Sequence, residues 1–137
     1  MAFVLLIGVY LLLALLEPFL HGGREQGLTP TGWEPGHAGA YAANFLVIAV
    51  IAPIVEELMF RGLGCTLLEP YGRWTAIVVV GVLFGLAHGL FQALPELAIF
   101  GAALAWLRFR TASVYPGMLL HGTFNGISLI AAVVPHH

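Results

Sequence analysis

The chain has 137 residues, 60% of them hydrophobic and 9% charged, with a net charge of −2 and a mean hydropathy of +0.95. A soluble domain carries about 25% charged residues, so this composition is that of an integral membrane protein. The few cations are all arginine, which leaves no basic field for nucleic acid and no polybasic stretch for anionic lipid.

A first apolar segment, about Phe3 to Phe19, ends at Glu17-Pro18 and has the length of a bilayer-spanning helix. It lacks the positive start and small-residue cleavage site of a signal peptide. His21 to Gly39, rich in Gly, Pro, Thr and charge, reads as an extramembrane loop, with His21 and His37 as solvated loop histidines. Residues 1–39 are thus a first helix plus loop, and 40–137 the core.

The core holds four more hydrophobic segments. About Ala40 to Leu68 carries Pro53, Glu56, Glu57 and Arg61, and about Trp74 to Leu90 carries Phe84 and His88. A short segment from about Pro95 to Phe109 ends in Arg108 and Arg110. The last, about Val114 to Val134, opens with Ser113 as a candidate cap and carries His121 and Asn125. None alternates as a barrel strand does, so the predicted fold is all-α: a membrane bundle of about five transmembrane helices. Strict alternation puts Arg73, Arg108 and Arg110 on one side and Arg24 on the other, which sets the amino terminus in and the carboxyl terminus out.

Ionisable side chains in hydrocarbon cost several kcal/mol each unless they face a polar cavity and find partners. Here they fall into three sets at helical spacing: Glu56-Glu57-x-x-x-Arg61, Phe84-x-x-x-His88 and His121-x-x-x-Asn125. Glu57 and Arg61, four apart, stand one above the other and can pair. Glu56 then lies on another face and is the acid free for chemistry. Pro53 removes a backbone donor three residues earlier and loosens the turn there, either to admit water or substrate or simply to shape packing. Gly81, Gly85 and Gly89 form a small-residue stripe that lets another helix approach beside His88. His121 and Asn125 share one face and can act as two hydrogen-bond donors or as polar glue between helices. Counted from the predicted helix ends, Glu56 and His121 lie about 12–15 Å in and His88 about 20 Å, a mismatch of one to two turns.

This set fits hydrolysis by water that Glu56 and His88 deprotonate, with His121 and Asn125 on the oxyanion. Glu56, His88 and His121 also have the ligand types of a zinc site with an open position, although no H-E-x-x-H motif is present. Covalent catalysis is disfavoured: Ser113 and Ser128 lack a G-x-S-x-G context, and the chain has no lysine for a Ser-Lys dyad. The lone Cys65 excludes a disulfide and a cysteine-based metal cluster, and reads as a packing residue.

In order and spacing, the three motifs resemble the CAAX protease and bacteriocin-processing family, also called the Abi family, over Ala40 to about Val134. The resemblance implies a membrane-embedded protease, glutamate- or metal-dependent, in which Glu56 and His88 activate water and His121 and Asn125 stabilise the oxyanion. Glu57, Arg61 and Phe84 take supporting positions. The family is often labelled metalloprotease, and a metal-free glutamate mechanism is also argued for it. The implied partners are a membrane-associated peptide or protein substrate and the bilayer of a prokaryotic plasma membrane. Family members commonly carry extra helices, so a small bundle is expected to close its cavity as a homo-oligomer or to be a minimal or truncated member. Two other functions use the same residues: a bacteriocin-immunity protein that binds without proteolysis, and a small proton or ion carrier.

Overall fold

The computed structural model describes residues 34–133, all of whose regular elements are helices. The predicted first helix and most of the following loop lie outside them. Helix α1 runs Pro35–Tyr71, α2 Arg73–Ala87, α3 Leu94–Thr111 and α4 Tyr115–Val133.

Helix α1 begins inside the predicted loop. Pro35 supplies a preset φ for the first turn, where its missing N–H costs nothing, and the exposed His37 pairs with Glu34 at 2.9 Å. Pro53 does not break α1. The chain passes through it with its winding widened on both sides, as π-helix over Val47–Ile51 and Glu57–Gly64. Wide turns of this kind relieve a local mismatch in the hydrogen-bond ladder and recur at functional sites.

Among the described residues, α1 and α4 are long and apolar enough to cross a membrane. The other two do not meet that measure of length and composition. Helix α2, with 15 residues, reaches about 22 Å against a hydrocarbon core of about 30 Å, and α3 carries Glu96, Arg108 and Arg110. Together they form a hairpin packed on the second half of α1.

The register of that hairpin is regular. Gly72, at φ +105°, turns the chain between α1 and α2, and contacts step away from it in fours on both sides. An added Gly64 Cβ would touch Val80, the Phe60 and Phe84 rings meet edge to face with centroids 5.3 Å apart, and Glu56 reaches His88. Glu56 and His88 each stand sixteen residues from Gly72, about 24 Å along either helix. The predicted depth mismatch between them is absent, because α1 continues to Tyr71 instead of ending near Leu68.

Of the glycine stripe, two members carry the expected close approach. A Cβ on Gly81 would stand 2.7 Å from the Ala98 carbonyl and 2.8 Å from Ala102, and one on Gly85 3.0 Å from Leu94. Gly89 instead sits at φ +68° beside open space and serves the α2–α3 turn. Gly81→Leu is therefore expected to separate α2 from α3, costing about 1–3 kcal/mol or more by overpacking, whereas Gly36→Leu, facing open space, serves as control; unfolding in detergent checks both. Around this hairpin lie two apolar clusters, Phe84 with Phe100 and Leu104, and Cys65 with Ile77, Val80 and Ala105. Cys65 is a free, buried packing residue.

Helix α4 runs antiparallel along the first half of α1. Tyr41 donates to Leu129 O at 3.0 Å, Gly126 faces Phe45 and Gly122 faces the Ala49 carbonyl. Ser113 accepts from the Tyr115 N–H at 3.3 Å and so caps this helix. Thus α1 is shared: its first half belongs to α4, its second to the hairpin, and the two partners meet at Glu56 and Glu57.

Candidate active site

Glu57 and Arg61 are fully buried and lie 2.8 Å apart between Oε1 and Nη1. The N–H direction is off the line of that contact, so it is an ion pair more than a hydrogen bond. Arg61 spends its other terminal nitrogen on Gly101 O of α3 at 2.9 Å, and its guanidinium lies 4.4 Å from the centre of the Phe84 ring. One cation thereby ties α1 to both α2 and α3. The i,i+4 spacing alone leads to the pair with Glu57; the Gly101 contact leaves no mark in the sequence.

Glu57 also reaches α4. Its Oε1 accepts from His121 Nδ1 at 3.3 Å, and its Oε2 is buried without a hydrogen-bond partner, pressed against Gly117, where a Cβ would overlap it. Gly117 is a site residue that sequence reasoning missed. The signal available was its place four residues before His121, on the same helical face.

Glu56 points the other way, as its helical phase predicts. Its side chain is 28% exposed, yet Oε2 is buried and lacks a hydrogen-bond partner. That oxygen lies 3.9 Å from His88 Nε2 and 3.7 Å from His121 Nε2, too far for direct hydrogen bonds. His88 caps α2 just before Gly89. Its Nδ1–H donates to Phe84 O at 2.8 Å, an assignment forced by the acceptor, since a carbonyl cannot donate. The Phe84-x-x-x-His88 spacing is thus a backbone anchor for the ring. His121 is 3% exposed, flanked edge-on by Phe84 and Phe100 with centroids 5.6 and 5.3 Å away.

Both imidazoles are therefore fixed through Nδ1, with Nε2 turned toward one carboxylate oxygen of Glu56. Three helices bring Glu56, His88 and His121 together. Asn125, one turn beyond His121, takes a different position: its Nδ2 donates to the Ile48 carbonyl of α1 at 2.9 Å.

Inward-facing Nε2 atoms with Nδ1 held from behind are also how zinc-bound histidines are arranged. Bonds of about 2.0–2.1 Å set tetrahedral ligands about 3.4 Å apart, and the Glu56 separations are a few tenths wider, at 3.7 and 3.9 Å. Among the described residues no three His, Cys, Asp or Glu side chains group as a metal-holding set.

No curated protein and no solved structure matches the chain. A family model does, over residues 38–127, which takes in Glu56, His88, His121 and Asn125 and leaves out the first predicted helix. With well over half of its length covered by that match, the chain belongs to the Rce1-like family of type II CAAX prenyl endopeptidases.

Proposed function

We propose that the protein is an intramembrane endopeptidase that hydrolyses a peptide bond of a membrane-associated peptide by activated water. The observation that carries this reading is the convergence of Glu56 Oε2 with the Nε2 atoms of His88 and His121. A water among these groups gives a proton to Glu56, with His88 accepting from its other O–H, and its oxygen attacks the scissile carbonyl carbon. The negative charge that develops on the carbonyl oxygen takes a hydrogen bond from His121 Nε2. To donate there while Nδ1–H stays on Glu57, the His121 ring carries both protons, and Glu57 faces it as the aspartate faces histidine in a serine-protease triad. The C–N bond then breaks, and the proton held by Glu56 passes to the departing amine. No metal is required for these steps.

Family membership supports a prenylated CAAX-type carboxyl terminus as the first substrate to try. The apolar outer face of α1, with Leu46, Ile54, Leu58, Leu63 and Leu67 exposed, suits lipid contact and a substrate that arrives within the bilayer.

The test is cleavage of farnesylated and unmodified CAAX peptides by detergent-purified protein, with and without a strong chelator. Cleavage is expected to persist in the chelator and to vanish in Glu56→Ala, His88→Ala and His121→Ala. Activity unchanged in all three variants overturns the reading. Loss with chelator and return with zinc replaces carboxylate catalysis by metal catalysis.

A further inference from the structure

Helix α4 presents bare backbone to the acid that stands behind His121. Gly117, the third residue of α4, is buried. The three heavy atoms that a Cβ there would meet first, Oε2, Cδ and Cγ, all belong to Glu57, and it would overlap Oε2. Two further glycines of α4 face other groups: a Cβ on Gly122 would stand 2.7 Å from the Ala49 carbonyl, and one on Gly126 3.4 Å from the Phe45 ring.

Glu57 is fully buried. Its Oε1 serves both Arg61 Nη1, at 2.8 Å, and His121 Nδ1, at 3.3 Å, whereas Oε2 has no hydrogen-bond partner. The wall of Gly117 therefore sets how the carboxylate is turned. The first turn of α4 is held against yielding: Ser113 caps the Tyr115 N–H at 3.3 Å, the Met118 N–H donates to Val114 O at 3.0 Å, and Pro116 fixes its own φ. A methyl group at 117 thus moves the acid, which must retreat by about an ångström to reach ordinary contact. The His121 contact, already 3.3 Å long, does not survive a shift of that size.

We propose that Gly117 is a positioning residue for the oxyanion donor: its missing side chain keeps the Glu57 carboxylate on His121 Nδ1 and so aims His121 Nε2 at the reacting carbonyl oxygen. In its catalytic consequence this inference rests on the endopeptidase reading; the placement of Glu57 by Gly117 does not.

A cycle of Gly117→Ala, Glu57→Asp and the double variant in the full chain tests it, with Gly126→Ala as control. Aspartate withdraws the carboxylate by about 1.5 Å, one methylene, and so makes room for the methyl group. Gly117→Ala is expected to lower kcat about 10–100-fold, as a small misplacement of a catalytic group does, with KM within about twofold of the original. Alanine is the better helix former and the clash is with a side-chain end, so the thermal midpoint should stay within a few degrees. In the Glu57→Asp background the same change should lower kcat by less than about threefold, a coupling of neighbours in contact. The Nδ1 proton signal of His121 in histidine-¹⁵N-labelled protein, assigned by its loss in His121→Ala, should move in Gly117→Ala and stay unmoved in Gly126→Ala.

If Gly117→Ala lowers kcat by the same factor in both backgrounds, it does not act through Glu57 and the proposal is overturned. A fall in the midpoint with kcat unchanged makes Gly117 a packing glycine and overturns it as well. Should the unaltered protein cleave no peptide, the endopeptidase reading fails, and the His121 signal still decides the placement: a shift in Gly117→Ala upholds it and an unmoved signal overturns it.

Discussion

Glu56→Gln is expected to reduce peptide cleavage by about 10²–10⁴-fold, the usual contribution of a positioned general base, while leaving the thermal midpoint of the detergent-solubilised protein within a few degrees of the original. The two acids touch different groups. Among the described residues Glu56 has no arginine as an ion-pair partner, and its buried Oε2 faces two imidazole nitrogens beyond direct bonding distance. An amide of the same shape fits that space but accepts no proton. Glu57→Gln should show the reverse balance, with a large fall in the midpoint, because it leaves the Arg61 guanidinium buried without its carboxylate. Parallel cleavage rates and unfolding curves for the two variants separate these roles. Equal loss of stability in both, or cleavage retained in Glu56→Gln, would remove Glu56 from the chemistry.

The division between the two acids is legible in the sequence because a helix has a fixed angular step. Arg61 four residues after Glu57 claims that carboxylate, and Glu56 is turned about 100° away. The wide winding of Glu57–Gly64 alters this step without undoing the pairing. What misleads a sequence reading of depth is the choice of helix ends. Glu69-Pro70-Tyr71-Gly72 looks like a loop by composition, yet Glu69 to Tyr71 continue the helix as a tight turn and only Gly72 breaks it. Measured from Gly72, Glu56 and His88 are level.

The third motif is harder to place for a reason of packing. His121 is six residues into α4, whereas Glu56 is fifteen from the end of α1. The two helices are thus staggered by about 13 Å at their neighbouring ends. Such a stagger is set by side-chain fit between helices, here by Gly117, Gly122 and Gly126 against α1, and no single-helix periodicity encodes it. The same limit hides the target of Asn125. Its spacing from His121 places both on one face, but whether that face meets a reacting oxygen or the Ile48 carbonyl of α1 depends on which helix lies opposite.

The span count shows a related limit. Hydropathy marks apolar segments, and on that basis α2 and α3 read as two crossings. They pack as one hairpin, with Arg73 near Phe109 at its outer end and His88 at the tip beside Glu56. The predicted in-out orientation depends on strict alternation of five spans; the shared arginine end of α2 and α3 remains, since Arg73, Arg108 and Arg110 still lie together. The inner end of the hairpin brings the His88 side chain to Glu56.

Arg61→Met is expected to produce the largest loss of stability of any single substitution here, about 3–5 kcal/mol, the cost of stranding one member of a buried ion pair. Three separate ties end at this guanidinium: the Glu57 carboxylate, the Gly101 carbonyl and the Phe84 ring. Methionine fills the space and keeps the contact with Phe84, but it leaves Glu57 charged among apolar groups and Gly101 O without its donor. Arg61→Lys should fall between the two, since a single ammonium group lacks the planar fork that serves Glu57 and Gly101 O together. If stranding is the cause, adding Glu57→Gln to Arg61→Met must recover most of the loss, because replacing both members of a buried pair removes the uncompensated charge. The amide oxygen that Glu57→Gln introduces can still accept from His121 Nδ1, so the double variant should also regain part of the cleavage that Arg61→Met loses. Chemical unfolding in mixed detergent micelles gives the four stabilities, and the cycle they form yields the coupling directly. A coupling near zero would mean that Arg61 holds the bundle through Gly101 and Phe84 alone, and that Glu57 is kept in place by His121 and the close wall of Gly117 without help from its neighbour.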